Sequence, residues 1–257
     1  MPNTFLINRN MGKIFAKRSK DFNKIHIDEI AGYNSVFGEN ICHGVLILLV
    51  FLKKINFKNS KFYTLKIKFN KPFFYNQKIS FLKKKINTDK YEYHLLQNEL
   101  LVATIVINIK LKDEQIFRSK KKGSDYIYLE KNLLKLLYKI SSYVGTVYPG
   151  VDSLINNISV TYDGTAKNMG SKISIKSKLL DKRLPIISNV LHYKKFISNF
   201  ESLKRPVLKN KKIKISRKIF LRIKKIRENI LIIGASQGIG RDILEGTKKN
   251  KNITKIA

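Results

Sequence analysis

The sequence has 257 residues, of which 43% are hydrophobic, and a formal net charge of +34. This length allows one large domain or two smaller ones, and the apolar fraction is sufficient for a substantial core. Because Cys42 is the only cysteine, an intramolecular disulfide is excluded. We find neither a signal peptide nor an apolar run near the ~20 residues of a membrane span, and we therefore expect a cytoplasmic protein.

The positive charge, taken alone, would indicate nucleic acid or an anionic membrane surface as a partner. However, the lysines are spread over the whole chain and occur with abundant Ile and Asn, a bias that AT-rich coding DNA would also produce. We therefore do not expect nucleic-acid binding to be the main role. A basic surface would equally favour the phosphates of coenzyme A or an acidic acyl carrier protein.

The first segments lead into a loop with two titratable side chains. Residues 4–9 read as a short strand and residues 11–17 as a turn or the start of a helix. Asp21 and His26 then follow, five positions apart. Most Asp/His pairs at this spacing are solvated or join local hydrogen bonds, so the pair gains meaning only from what comes next.

The next segment reads as a buried helix that opens with a His-Gly pair. Residues 45–52 are all apolar, so a helix there would be buried on every side. Its first turn offers backbone N–H groups at the positive end of the helix dipole, and Gly44 has no side chain to block a ligand. Such a donor suits an oxyanion on a thioester carbonyl, and Asp21 with His26 could hold a water and move its protons.

These residues resemble the signature of the MaoC-like (R)-specific enoyl-CoA hydratases and dehydratases, which reads Asp-x-Asn-Pro-x-His, then Phe-Gly, then His-Gly at the central helix. The matching positions are Asp21, Asn23, His26, Phe37, Gly38, His43 and Gly44. Lys24 replaces the usual Pro, which would make the loop less rigid. The resemblance implies a hot-dog fold, in which an antiparallel sheet wraps round a long helix.

The resemblance also implies a lyase of fatty acid metabolism. It would add water in a syn manner to a trans-2-enoyl thioester of coenzyme A or an acyl carrier, giving an (R)-3-hydroxyacyl thioester, or catalyse the reverse dehydration. Asp21 and His26 would activate the water, and the Gly44 N–H would polarise the carbonyl. Asn23 and His43 would support them, and neither a metal nor a cofactor is implied for this step.

The rest of the first half reads as strands. We predict them at residues 62–69, 79–85, 90–96 and 100–109, with Pro72 ending the first and a turn at Asn98 and Glu99. One helix followed by four strands predicts an α+β unit. The charged residues 110–123 read as a connection and a candidate domain boundary.

The second half repeats this order. The apolar residues Leu133, Leu134, Leu137, Ile140 and Val144 recur at helical spacing, and strand-like runs follow at residues 155–162, 172–179, 186–192 and 193–203. We therefore predict a double hot-dog, with the halves paired as a pseudo-dimer and homodimerisation possible. Residues 142–145 and 148–150 resemble the second half of tandem MaoC-like proteins.

The second half lacks an Asp-x-Asn-x-x-His motif, so we predict that it is non-catalytic and helps to shape the acyl tunnel. His192 is its only imidazole and reads as a strand or surface residue. The alternative is an unrelated α+β domain.

The tail has a different pattern. Residues 208–228 read as a basic helical linker or, less simply, a membrane-surface helix. Residues 229–257 read as a strand, a Gly-rich turn, a helix and the start of another strand. They resemble the NAD(P)-binding start of the short-chain dehydrogenase/reductase family, with cofactor-binding positions at Gly234, Ser236, Gly238, Ile239 and Gly240.

That family needs further βα units and a Tyr-x-x-x-Lys pair, so we expect a truncated Rossmann β-α-β start in a fragment of a longer fusion protein. NAD or NADP would then bind only in the complete parent. The predicted domains are residues 1–118, 119–208, 209–228 and 229–257. Two other functions stay open: NAD(P)-dependent reductase activity of the parent, and a non-catalytic basic module that binds acyl carriers or nucleic acid.

Overall fold

The computed structural model describes residues 3–55, 62–109, 131–151, 153–163, 169–181, 183, 185–205 and 241. Its elements are β1 (Thr4–Leu6), α1 (Arg9–Ser19), α2 (Lys24–Ile27), α3 (Glu29–Tyr33), α4 (Gly44–Lys54), β2 (Phe62–Phe69), β3 (Lys78–Lys85), β4 (Lys90–Gln97), β5 (Leu100–Ile109), α5 (Lys131–Ser142), a π-helical turn (Tyr143–Val147), β6 (Ser153–Tyr162), β7 (Met169–Asp181), β8 (Ile186–Lys194) and β9 (Phe196–Lys204). All of them lie in the first of two units, Met1–Pro206 and Val207–Ala257. No helix among the described residues is long and apolar enough to cross a bilayer.

Several predictions concern residues outside the described ranges. These are the charged connection at residues 110–123, the basic linker at residues 209–228 and the dinucleotide-binding positions. Gly234, Ser236, Gly238, Ile239 and Gly240 therefore stay predicted cofactor ligands, and the Rossmann start stays a prediction.

Two helices form the centre of the core. All-round burial of α4 follows from its apolar sequence and is confirmed: every residue from 45 to 52 except the half-buried Val50 is at most 3% exposed. Helix α5 packs against α4 and buries one face, formed by Leu133, Leu136, Leu137, Ile140 and Ser141. Of the five apolar residues at helical spacing, only Leu134 is not fully buried.

A single antiparallel sheet covers this core. Its strand order is β1-β3-β4-β5-β2-β6-β9-β8-β7, so the strands that follow α4 lie together and those that follow α5 lie together. The two groups join where β2 pairs with β6, with Leu65 opposite Val160 and Ile67 opposite Ile158. All four of these side chains are buried. The described structure therefore has a large antiparallel sheet with few helices, each half showing a buried helix followed by four strands.

The strand predictions agree with the observed elements to within a few residues, except at the first strand and the last pair. The strand predicted at residues 4–9 ends at Leu6, and Arg9 already begins α1. We placed the break between residues 192 and 193, whereas β8 runs to Lys194 and β9 begins at Phe196. No glycine or proline marks this turn in the sequence. A lysine, Lys194, adopts the positive φ of +52° instead. The predicted turn at Asn98 and Glu99 is present, and both residues have positive φ.

Candidate active site

The end of α1 brings Asp21 into the interior. Lys20 follows the helix with φ +64°, and the Asp21 N–H donates to the Ser19 hydroxyl at 3.2 Å. The Asp21 side chain is consequently only 3% exposed. Asn23 then caps α2, because its Oδ1 accepts from the Ile25 N–H at 3.4 Å.

The loop that lacks the signature proline is held by another residue. Lys24 occupies the first position of α2, where proline is favoured in helices. The Asn40 side-chain amide donates to the Ile25 carbonyl at 2.9 Å and to the Asp28 carbonyl at 2.7 Å. Asn40 is buried and lies directly against Gly32 of α3, where a β-carbon would come within 2.6 Å of its backbone nitrogen. These contacts link α2 and α3 to the segment that enters α4.

Hydrogen bonding fixes the tautomer of His26. Its Nδ1 lies 2.9 Å from the Ile41 carbonyl oxygen, which can only accept, so Nδ1 carries a proton. In the neutral ring Nε2 is therefore the proton acceptor. Burial lowers the pKa of His26, while the nearby Asp21 carboxylate and the Ile41 carbonyl raise it and Arg205 adds to the lowering. A neutral imidazole with a basic Nε2 is the form favoured near neutral pH.

His43 lies behind this pair with both ring nitrogens bonded. Its Nε2–H donates to the Asp21 carbonyl at 3.3 Å, and its Nδ1 accepts from the Tyr75 hydroxyl at 3.4 Å. The ring centroids of His43 and His26 are 4.1 Å apart. Burial, followed by the charge of His26, puts the pKa of His43 well below its ordinary value. His43 is thus a neutral side chain that supports the backbone of Asp21.

The Asp21 carboxylate contacts the second half of the chain. The Ser141 hydroxyl donates to Oδ2 at 2.6 Å, and the Asn23 N–H donates to Oδ1 at 3.3 Å. Gly145 lies so close that a β-carbon there would be 2.7 Å from the Asp21 Cγ. Burial raises the pKa of Asp21, opposed first by His26 and then by the bonds from Ser141 and Asn23.

Ser141 could not be recognised as a site residue from the sequence. Its only signal was a polar residue that interrupts the apolar face of Leu133, Leu137, Ile140 and Val144. A small polar residue at such a position marks either a close contact between helices or a buried hydrogen bond, and here it is the latter. A second link of the same kind joins Asn23 Nδ2 to the Ser153 carbonyl at 3.2 Å.

Four of the five residues predicted for the hydratase site share one cavity of about 190 Å³. Asp21, Asn23, His26 and Gly44 line it from the first half, whereas His43 lies behind its wall. Gly44 begins α4 and permits close packing of Phe69, whose Cζ would be 2.8 Å from a β-carbon at Gly44. Phe37 also lines the cavity. The remaining wall is mostly apolar and includes Ile41, Cys42, Ile47, Phe73, Val144, Leu154, Ile155 and Leu203.

Asp21, His26 and His43 each place one ligand-type atom within 4.8 Å of the other two. This set fits a metal ion poorly, because the His43 Nε2 proton is donated to the Asp21 carbonyl and Nδ1 accepts from Tyr75. A protonated ring nitrogen is not a metal ligand. Without His43, this group of three offers only two metal ligands, Asp21 and His26. Catalytic zinc sites have three protein ligands.

Solved structures show what fold this is. A structure described as a MaoC-like dehydratase aligns with 80% of this chain and 97% of its own length, with 8% identity and a TM-score of 0.51. The chain has this hot-dog type of fold. An (R)-hydratase from A. caviae involved in PHA biosynthesis covers 42% of this chain and 91% of its own, at 20% identity and a TM-score of 0.37. An acyl-CoA thioesterase II from Mycobacterium marinum covers 66% of this chain and 92% of its own, at 7% identity and a TM-score of 0.45.

At these identities the hot-dog likeness concerns the fold alone. No model of a known protein family matches the sequence, and no curated protein matches it. Function must therefore be inferred from the side chains that line the cavity.

Proposed function

We propose that the chain is a lyase that hydrates trans-2-enoyl thioesters of coenzyme A or an acyl carrier to (R)-3-hydroxyacyl thioesters, and catalyses the reverse dehydration. The observation that carries the proposal is the shared cavity, which Asp21, His26 and the first residue of α4 all line. A carboxylate, a basic imidazole nitrogen and a helix N-terminus are the three groups that this reaction needs. The mostly apolar remainder of the wall suits an acyl chain.

In this reaction a water lies between the Asp21 carboxylate and His26 Nε2, both of which accept hydrogen bonds from it. As the water oxygen bonds to C3 of the enoyl group, Asp21 takes one water proton. The same proton then passes from Asp21 to C2, so that one water is consumed and the carboxylate is regenerated. Because Asp21 takes the proton from the attacking water and returns it to C2 on the same face, the addition is syn.

Negative charge develops on the thioester oxygen when C3 is attacked. The Gly44 N–H at the positive end of α4 is the donor for this oxygen, and His43 makes no side-chain capping bond that would compete for the helix start. Removal of such a donor typically costs about 10²–10³ in kcat. Because the donor belongs to the backbone of a buried helix, it needs no reorganisation during the reaction.

The same proposal interprets the fold as a double hot-dog. The first hot-dog domain, residues 1–118, supplies the acid and the imidazole, and the second hot-dog domain, residues 119–208, is its pseudo-dimer partner. The hydration step uses no cofactor. NAD(P)-dependent reductase activity of a longer parent protein, and a purely acyl-carrier or nucleic-acid binding role, remain the competing functions.

The test is the hydration of a short enoyl-CoA by Asp21→Asn and His26→Ala variants, followed by loss of the conjugated enoyl absorbance. General acid–base groups contribute about 10²–10⁴-fold, so each variant should lose at least about a hundredfold in kcat/KM. Glu29→Gln is the matched control, because Glu29 is an exposed acid at the start of α3 whose partner is Arg9 of α1 and not a cavity residue.

Unchanged activity in either folded variant would overturn the proposal. Chiral analysis of the product checks the (R) configuration. Release of free thiol in place of hydration would instead assign the site to thioester hydrolysis. Salt-sensitive DNA binding without turnover would favour the binding module.

A further inference from the structure

We infer that Ser141, on helix α5 of the second half, is a positioning residue that holds and orients the Asp21 carboxylate for proton transfer, so that the catalytic site is completed by both halves of the chain. The claim that Ser141 assists proton transfer rests on the proposed function. The hydrogen bond itself, and its effect on Asp21, can be tested without turnover.

The geometry of the contact is that of a strong hydrogen bond. The Ser141 Oγ lies 2.6 Å from Asp21 Oδ2, within the range typical of a hydroxyl that donates to a carboxylate. Ser141 is 1% exposed and Asp21 is 3% exposed, so the bond between them is shielded from bulk water. A charge-assisted bond in such surroundings contributes more than the same bond at a surface.

The carboxylate is held on both oxygens by different halves. Oδ1 accepts from the Asn23 N–H of its own loop, while Oδ2 accepts from Ser141. Gly145, one helical turn beyond Ser141, packs against the same carboxylate and leaves no space for a β-carbon. If the carboxylate rotated in place, it would lose the hydrogen bond from Ser141 or collide with Gly145.

A second connection aligns the two halves at this point. The Asn23 amide donates to the Ser153 carbonyl at 3.2 Å, and the Ser153 hydroxyl donates to the Val144 carbonyl at 2.6 Å. The loop that carries Asp21 is therefore bonded to β6, and β6 is bonded to the π-helical turn next to Ser141. The catalytic loop and α5 are fixed relative to each other by polar contacts as well as by packing.

The bond also acts on the charge of the carboxylate. Burial favours the protonated acid and raises the pKa of Asp21, whereas the Ser141 hydroxyl favours the ionised form and lowers it. The proposed reaction needs the ionised form, because Asp21 must accept a proton from water. The hydrogen bond from Ser141 therefore opposes the rise in the pKa of Asp21 that burial causes, and Asp21 is the group that must be ionised.

The experiment compares Ser141→Ala with the matched control Ser142→Ala. Ser142 is the next residue on α5, and its hydroxyl donates to the Lys20 carbonyl rather than to the carboxylate. The pH profile of kcat/KM is recorded for each, together with separate kcat and KM values. Loss of a hydrogen bond to a charged group should lower kcat/KM by roughly tenfold or more, mainly through kcat.

The acid limb of the Ser141→Ala profile should lie at higher pH than that of the unsubstituted chain, because the carboxylate has lost a donor. The other titratable groups around Asp21 are His26, His43 and Tyr75, and all three are unchanged in the comparison. Ser142→Ala should retain the original limb and rate. A purely structural role for Ser141 would lower the amount of folded protein without moving the limb.

A readout that needs no turnover separates this inference from the proposed function. The Asp21 carboxyl is titrated by carbon NMR in labelled protein and assigned by comparison with Asp21→Asn. If the unsubstituted chain does not hydrate enoyl thioesters, the proposed function fails, yet a titration that moves to higher pH in Ser141→Ala still supports the positioning role.

An unmoved carboxyl titration in folded Ser141→Ala would overturn the inference, as would a kcat/KM within twofold of the unsubstituted chain with an unmoved acid limb. If the alanine variant does not fold, Ser141→Cys is measured in the same way. That side chain keeps the shape and provides only a weak donor, so the same direction of change is expected.

Discussion

Replacement of Gly145 by alanine tests how much displacement the buried carboxylate tolerates. The new β-carbon would lie 2.7 Å from the Asp21 Cγ and still closer to Oδ1, whereas ordinary contact begins at 3.4 Å. The carboxyl group or the π-helical turn must therefore move by at least about 0.7 Å, the shortfall at Cγ, and by more to clear Oδ1. A misplacement of about 1 Å can cost about a hundredfold in rate, and overpacking costs about 1–3 kcal/mol.

We expect Gly145→Ala to lower kcat/KM for enoyl-thioester hydration by about a hundredfold and the free energy of unfolding by about 1–3 kcal/mol. Steady-state kinetics and urea unfolding measure the two effects. Thr146→Ala, an exposed neighbour in the same turn, is the control. A folded Gly145→Ala protein with undiminished activity would show that the carboxylate position is not critical and would refute the reasoning.

Two further predictions concern stability. The free energy of unfolding should fall as the pH drops below about 6.5, the ordinary pKa of histidine, because the unfolded chain then binds a proton at His43 that the folded chain does not. The raised pKa of Asp21 acts in the opposite sense, since the folded chain takes up that proton first, and offsets part of the loss at lower pH. Urea unfolding at about pH 8 and about pH 5 measures the difference, which should be smaller in His43→Gln; an equal difference would contradict the assignment. Separately, Ile67→Ala should cost about 2–5 kcal/mol, because Ile67 is 2% exposed where β2 meets β6, whereas the exposed Lys66→Ala should stay within about 0.5 kcal/mol. Similar midpoints for the two variants in denaturant would argue against a packed junction there.

Much of the fold could be predicted because the relevant signals are local. The uniformly apolar sequence of α4 has one physical solution, burial on all sides, and the alternation of β2 gives one buried and one exposed face. The pairing of β2 with β6 could not be predicted from pattern alone. It joins strands from different halves, and period-2 alternation does not specify a partner.

The candidate site divides in the same way. Asp21, His26 and Gly44 were found because they lie close together in sequence and match a known signature. Ser141 and Gly145 were not found, since their contacts with Asp21 depend on how α1 and α5 pack. The replacement of the signature proline by Lys24 suggested a looser loop, but the effect of the bonds from Asn40 could not be read from the sequence.

The junction of β2 with β6 determines what a chain shortened to its first half would expose. In a lone first half, β2 would present a row of unpaired backbone N–H and C=O groups, which is a template for aggregation. The second half pairs with that row through β6, and its Ser141 hydroxyl donates to the Asp21 carboxylate of the first half. Deletion of the second half would therefore both expose the β2 edge and remove the hydroxyl that is bonded to Asp21.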